Sequence, residues 1–145
     1  MNKAWLAAIP ANAVLTPHPK EFDRLFGTCE NDFERADKAL GLSQTFPFII
    51  VLKGHFTLIA ANGKGWYNNT GNAGIAKGGS GDVLTGIITA LLAQQYPPED
   101  AALIAVYLHG ICADMALEQQ SMESMIATDI IELIGRSFLS LVNRH

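Results

Sequence analysis

Cysteine is scarce: 2 residues in 145, Cys29 and Cys112, with no CxxC pair. A structural zinc site takes about four ligands. No His/Cys cluster in the sequence offers them, so no metal centre built by protein side chains is expected. Two isolated thiols fit a reduced, cytoplasmic chain better than a disulfide scaffold. Charge is also thin, at 17% of residues, and the net balance is −4. Nucleic-acid binding needs a basic face, so nucleic acid is not an expected partner. Small anions remain open, because backbone N–H groups bind phosphate without net positive charge. No window approaches the roughly 20 apolar residues of a membrane span. The opening Met1-Asn2-Lys3-Ala4-Trp5 is short and is interrupted by Pro10, which does not fit a secretory signal. Neither a membrane partner nor a repeat, linker or low-complexity tract is expected.

What is present is apolar. Hydrophobic residues make up 49% of the chain, and a domain of about 150 residues hides roughly 70% of its unfolded surface. One domain is the default for this length. Ala13–Thr16 reads as a short strand. Pro19 opens a helix with Phe22, Leu25 and Phe26 on one face and Gly27 as its stop. Asn31–Leu42 reads as a second helix, and Phe48–Leu52 as a continuous buried strand. Phe56–Ala61 and Gly65–Asn68 read as further strands. Val83, Leu84, Ile87, Ile88, Leu91 and Leu92 fall at helical spacing until Pro97-Pro98. Ala101–Leu117 is apolar nearly all round, which predicts a buried helix, and Thr128-Asp129 caps a last helical region. Alternating strands and helices predict a layered α/β fold with a mostly parallel sheet.

The richest segment runs from Gly71 to Gly86, where five glycines (71, 74, 78, 79 and 81) precede a helix. Glycine permits positive φ and close approach of a ligand to the backbone. The first amides of a helix lack internal partners and carry the positive end of its dipole. Together these make an anion site suited to a phosphate in transfer. The segment is neither a Walker A loop, since Gly78 follows Lys77, nor a dinucleotide fingerprint, since no G-x-G-x-x-G occurs. A flexible loop closed by Asp82 acting only on the helix dipole is the plain alternative.

Gly78-Gly79-Ser80-Gly81-Asp82-Val83-Leu84-Thr85-Gly86 resembles the GGSGDVLTG signature of the ADP/ATP-dependent NAD(P)H-hydrate dehydratase family, a ribokinase-like carbohydrate-kinase fold. Three other segments agree in the same order. Leu15-Thr16-Pro17-His18-Pro19-Lys20-Glu21-Phe22 resembles the family's LTPHPxEF. Val51-Leu52-Lys53-Gly54-His55-Phe56-Thr57 resembles its VLKGxxT, and Tyr107-Leu108-His109-Gly110 its YLHG. The matches span nearly the whole chain.

The resemblance implies repair of hydrated NADH and NADPH: phosphorylation of the hydrate hydroxyl with ADP or ATP and Mg2+, followed by loss of phosphate. Carried over by position, Gly78, Gly79, Ser80 and Gly81 form the anion hole for the transferred phosphoryl. Asp82 is the general base at the substrate hydroxyl; as a weak base at a helix N-terminus it takes the proton late. Lys53, Gly54, His55, Phe56 and Thr57 contact the adenine nucleotide. His18, with Asp82, contacts the NAD(P)H hydrate. The structural readings stay open beside these: Lys53 at a strand end, Gly54 in a turn, and His18 as a helix-entry residue. Lys77 is either a phosphate contact or a solvated loop residue, and His109 reads as a packed core histidine. The resemblance also implies a homo-oligomer. It covers only the C-terminal part of the family's domain across residues 1–145, with several β/α units expected before it and Met1 placed within a helix-to-strand connection. The chain is therefore expected to be N-terminally truncated, with an unpaired sheet edge that favours association. A related small-molecule kinase and a non-catalytic nucleotide-binding fragment are the alternatives.

Overall fold

The structure, a computed structural model, describes residues 3–142; Met1 lies outside them. The chain divides into two compact units. One runs to Asn68 and includes Pro97–Leu103; the other comprises Asn69–Tyr96 and the chain from Ile104 onward.

The first unit begins with helix α1 (Lys3–Ala7) and strand β1 (Val14–Leu15). Helices α2 (Pro19–Phe26) and α3 (Asp32–Thr45) follow, and then strands β2 (Ile49–Leu52), β3 (Leu58–Ala61) and β4 (Lys64–Tyr67). Helix α2 starts where Pro19 presets φ at the first helical position. It stops at Gly27, whose φ of 96° suits glycine. Phe22 and Phe26 are buried and meet at 4.7 Å, with Phe48 stacked on Phe26. Each such side chain contributes about 1.5–3 kcal/mol when fully buried. Arg35 of α3 is buried, and its guanidinium forks onto Asp23 at 2.9 and 2.8 Å. A buried charge is tolerated because it is paired in this way.

The sheet has the order β1-β2-β3-β4. Only β1 and β2 are parallel, with Val14 opposite Ile49; β2–β3 and β3–β4 are antiparallel. The α/β class holds, but the expectation of a mostly parallel sheet does not hold for the described strands. The reason lies in the connections. A parallel pair needs a crossover of about a dozen residues or more, which α2 and α3 supply between β1 and β2. Residues 53–57 are too few for one between β2 and β3. Between β3 and β4 stand only Asn62 and Gly63, both with positive φ (51° and 75°), the conformation of a tight hairpin turn.

The second unit holds helix α4 (Ser80–Ala93), most of α5 (Pro98–Ala116) and α6 (Ala127–Val142). Leu84, Ile87, Ile88 and Leu91 form the buried face of α4. Cys112, Ala113 and Ala116 pack with Met125 and Ile130 in a core of their own. Asp129 accepts the Ile126 amide at 2.8 Å and Gln120 Nε2 at 2.5 Å, which fixes the start of α6. No helix among the described residues is long and apolar enough to cross a membrane.

Candidate functional site

The two motif segments of the first unit come together. The Lys53 amide donates to the Pro17 carbonyl at 2.9 Å, which sets the residues after β2 beside the entry of α2. His18 is the N-cap of α2: its Nδ1 accepts the Glu21 amide at 3.3 Å, and Glu21 Oε2 accepts the His18 amide at 2.8 Å. Glu21 also lies 3.3 Å from His18 Nε2 and 4.0 Å from Lys53 Nζ. The His18 amide bond, helped by the charges of His18, Lys53 and Arg24, holds Glu21 below the ordinary carboxylate range. Gly54, His55 and Phe56 are exposed in the β2–β3 turn, with the two rings edge-on at 4.5 Å. Thr57 accepts the Asn68 amide through its carbonyl at 2.9 Å.

In the second unit the glycine segment is held at several points. Thr70 Oγ1 donates to the Tyr107 carbonyl at 3.1 Å. Asp114 takes the Gly71 amide at 2.9 Å and Asn72 Nδ2 at 3.2 Å. Asn72 in turn accepts the Gly74 amide, opening a 3-10 turn over Ala73–Ile75. Gly110 allows this approach, since a Cβ there would lie 2.1 Å from Thr70 Oγ1. Lys77 donates to the Met122 carbonyl at 3.0 Å and also to that of Glu123. It is thus neither free in solvent nor aimed at the glycines that follow it.

Gly79 is the N-cap of α4, with φ 88° and ψ −22°. The sequence pattern places the helix start near Asp82; the observed start is Ser80. Asp82 and Val83 donate their amides to the Gly79 carbonyl at 3.1 Å. Among the described residues, nothing accepts the amides of Gly78, Gly79 or Gly81. Gly78 has open space on its side-chain face. The Ser80 hydroxyl is different: it is buried against His109 Nε2 at 3.0 Å. Asp82 is exposed on the first turn and its carboxylate bonds to no described residue, so it does not cap the helix. It borders a cavity of about 520 Å³ walled by Val83, Ile87, Leu91, Ile134 and Phe138. Unbonded helix-start amides attract an anion, and an unengaged carboxylate beside them can accept a proton.

The profile of the NAD(P)H-hydrate dehydratase family matches residues 2–136. The chain belongs to that family. It is 41% identical over 126 residues to the ADP-dependent (S)-NAD(P)H-hydrate dehydratase of Bacillus subtilis, covering 85% of this chain and 46% of that protein. The enzyme of the same description from Neisseria meningitidis is 46% identical over 110 residues, 74% of this chain and 37% of its own. The B. subtilis ADP/ATP-dependent NAD(P)H-hydrate dehydratase co-crystallised with ATP/Mg2+ superposes with a TM-score of 0.82 at 40% identity, over 88% of this chain and 47% of that one. Arabidopsis thaliana ribokinase, at 16% identity and TM-score 0.52, shares the fold alone. The chain therefore spans less than half the length of these dehydratases.

Three residues of the candidate site escaped the sequence reading in whole or in part. Glu21 stood inside the LTPHPxEF match, and its spacing from His18 is that of a capping box. Asp114 carried no local signal, since its link to Gly71 spans 43 residues. His109 was legible as a core residue, which its burial bears out; its bond to Ser80 was not.

Proposed function

We propose that this chain carries the phosphate-binding and proton-accepting part of an ADP- or ATP-dependent NAD(P)H-hydrate dehydratase of the cytoplasm. The observation that carries the reading is the row of unbonded Gly78, Gly79 and Gly81 amides followed at once by the unengaged Asp82 carboxylate. In the proposed reaction these amides stabilise the charge on the phosphoryl in transfer, where positioning and charge dominate. Asp82 orients the hydrate hydroxyl and takes its proton as the oxygen bonds to phosphorus. The terminal phosphoanhydride bond of ADP or ATP breaks in this transfer, leaving AMP or ADP. The new ester then breaks at its carbon–oxygen bond with loss of a proton from the neighbouring carbon, which forms the double bond and releases phosphate. Ser80 serves as the anchor of the anion hole rather than as a hydroxyl donor. In the first unit, Lys53, Gly54, His55, Phe56 and Thr57 are the proposed nucleotide contacts and His18 the hydrate contact. Support for both comes from the family match and from the exposure of His18 and residues 54–56.

The residues fit a nucleotide better than a bare metal ion. No group of three or more His, Cys, Asp or Glu that could hold a metal is gathered among the described residues. Mg2+ is accordingly proposed to arrive on the nucleotide phosphates, as this ion often does. A homo-oligomer belongs to the same proposal, supported by β1 standing at an edge of the sheet among the described strands, since an unpaired edge favours association. The test is recovery of NADH absorbance from NADH hydrate with ADP or ATP, using this chain supplied with the remainder of the B. subtilis enzyme. Nucleotide-dependent turnover supports the reading. Nucleotide binding with no turnover assigns the chain to a non-catalytic module instead.

A further inference from the structure

His109 lies on α5, 7% exposed, and Ser80 opens α4, 6% exposed. The imidazole Nε2 is 3.0 Å from Ser80 Oγ and 3.0 Å from the Ser80 carbonyl oxygen. Either tautomer ties the ring to Ser80: a protonated Nε2 donates to the carbonyl oxygen, and an unprotonated one accepts from the hydroxyl. Leucine or phenylalanine would fill this space without the cost of burying a polar ring. The imidazole bonds instead to the residue between Gly79 and Gly81, where the open amides take their direction. The other ties from α5 act at the opposite end of the segment: the Tyr107 carbonyl on Thr70, Gly110 by its lack of a side chain, and Asp114 on Gly71 and Asn72. His109 bonds at the helix end of the loop.

We propose that His109 is a positioning residue for the phosphate-binding loop, acting through Ser80 to aim the amides of Gly78, Gly79 and Gly81. The proposal rests on the reading of that loop as a phosphate site. It does not place His109 in contact with substrate.

Amide hydrogen exchange on the unliganded chain tests it. His109→Leu keeps apolar bulk and loses the ring nitrogens; exchange at the bonded amides of Ser80, Asp82 and Val83 is expected to rise about tenfold, the scale of one buried hydrogen bond. His109→Gln, whose side-chain amide offers Ser80 both a donor and an acceptor, is expected to restore most of the protection. Strands β2 and β3 serve as the reference and keep their parent exchange rates. Titration with ADP is expected to show affinity falling with His109→Leu and recovering with His109→Gln. Loop exchange that is equal in the parent and the leucine variant overturns the proposal, as does a glutamine variant no better than leucine. If His109→Leu does not fold, His109→Phe decides, because it keeps the ring and removes both nitrogens. Faster exchange confined to the loop then supports the role, and unchanged exchange overturns it. A parent chain that binds no ADP overturns the phosphate reading, while the exchange data still decide whether His109 positions the loop.

Discussion

At Gly79 the backbone turns through φ 88° to start α4, and a Cβ there would meet Ala127 Cβ at 3.3 Å. Gly79→Ala combines left-handed strain with crowding. It is expected to cost about 1–2 kcal/mol, read as a lower midpoint in urea. Asp82 poses a different question, since its carboxylate makes no bond to lose within the described residues. Asparagine keeps its shape but cannot accept a proton. In the chain supplied with the remainder of the B. subtilis enzyme, Asp82→Asn is expected to slow turnover by about 10²–10⁴-fold, with nucleotide binding retained. A rate within about threefold of the parent, under 1 kcal/mol of barrier, would contradict the general-base role.

Among the elements, α2 carries a residue with two assignments. His18 caps the helix in this structure and is the proposed hydrate contact. His18→Asn keeps a side-chain acceptor at the cap, whereas His18→Ala removes it at a cost of about 1 kcal/mol. The expected pattern is an unchanged thermal midpoint for asparagine and a lowered one for alanine, with the KM for hydrate raised in both. A KM unchanged in both would leave His18 only its cap. Helix α5 makes a sharper case at Gly110, where alanine would drive a methyl into Thr70 Oγ1. The expected loss is about 1–3 kcal/mol from overpacking, read by thermal melting. Periodicity and Pro/Gly punctuation made α2, α3, α4 and α5 legible, because helix ends and buried faces are local properties. The strand directions were legible only in part: the short 53–57 connection leaves no room for a crossover, and Asn62-Gly63 marks a two-residue hairpin that sets β4 antiparallel to β3. The glycine run ahead of α4, on which the proposed phosphate site rests, was legible from composition and order. Its supports at Asp114, His109 and the 122–123 carbonyls were not, because each is brought in by tertiary folding across tens of residues.

For the molecule as a whole, acid stability follows from several depressed carboxylates. Asp23 is lowered chiefly by its bond from Arg35, Asp129 by the Ile126 amide and Glu21 by the His18 amide. Their ordinary values are 3.8, 3.8 and 4.5. Each folded group binds its proton less readily than the unfolded chain does, so their stabilisation is complete above those values. It is lost as pH falls through the lower folded ones. Urea midpoints are expected to drop below about pH 4.5, and Asp23→Asn should flatten the slope below about pH 4. A midpoint independent of pH across that range would contradict the assignment. The larger claim is that a chain spanning less than half of its dehydratase relatives still presents a working phosphate site. Calorimetric titration of the chain with ADP measures this directly. Weak binding is expected, with a dissociation constant on the order of 1 mM or about 4 kcal/mol, abolished by Gly81→Val, which sets a branched side chain among the open amides. No heat from the parent chain, or equal heat from the Gly81→Val variant, would contradict it.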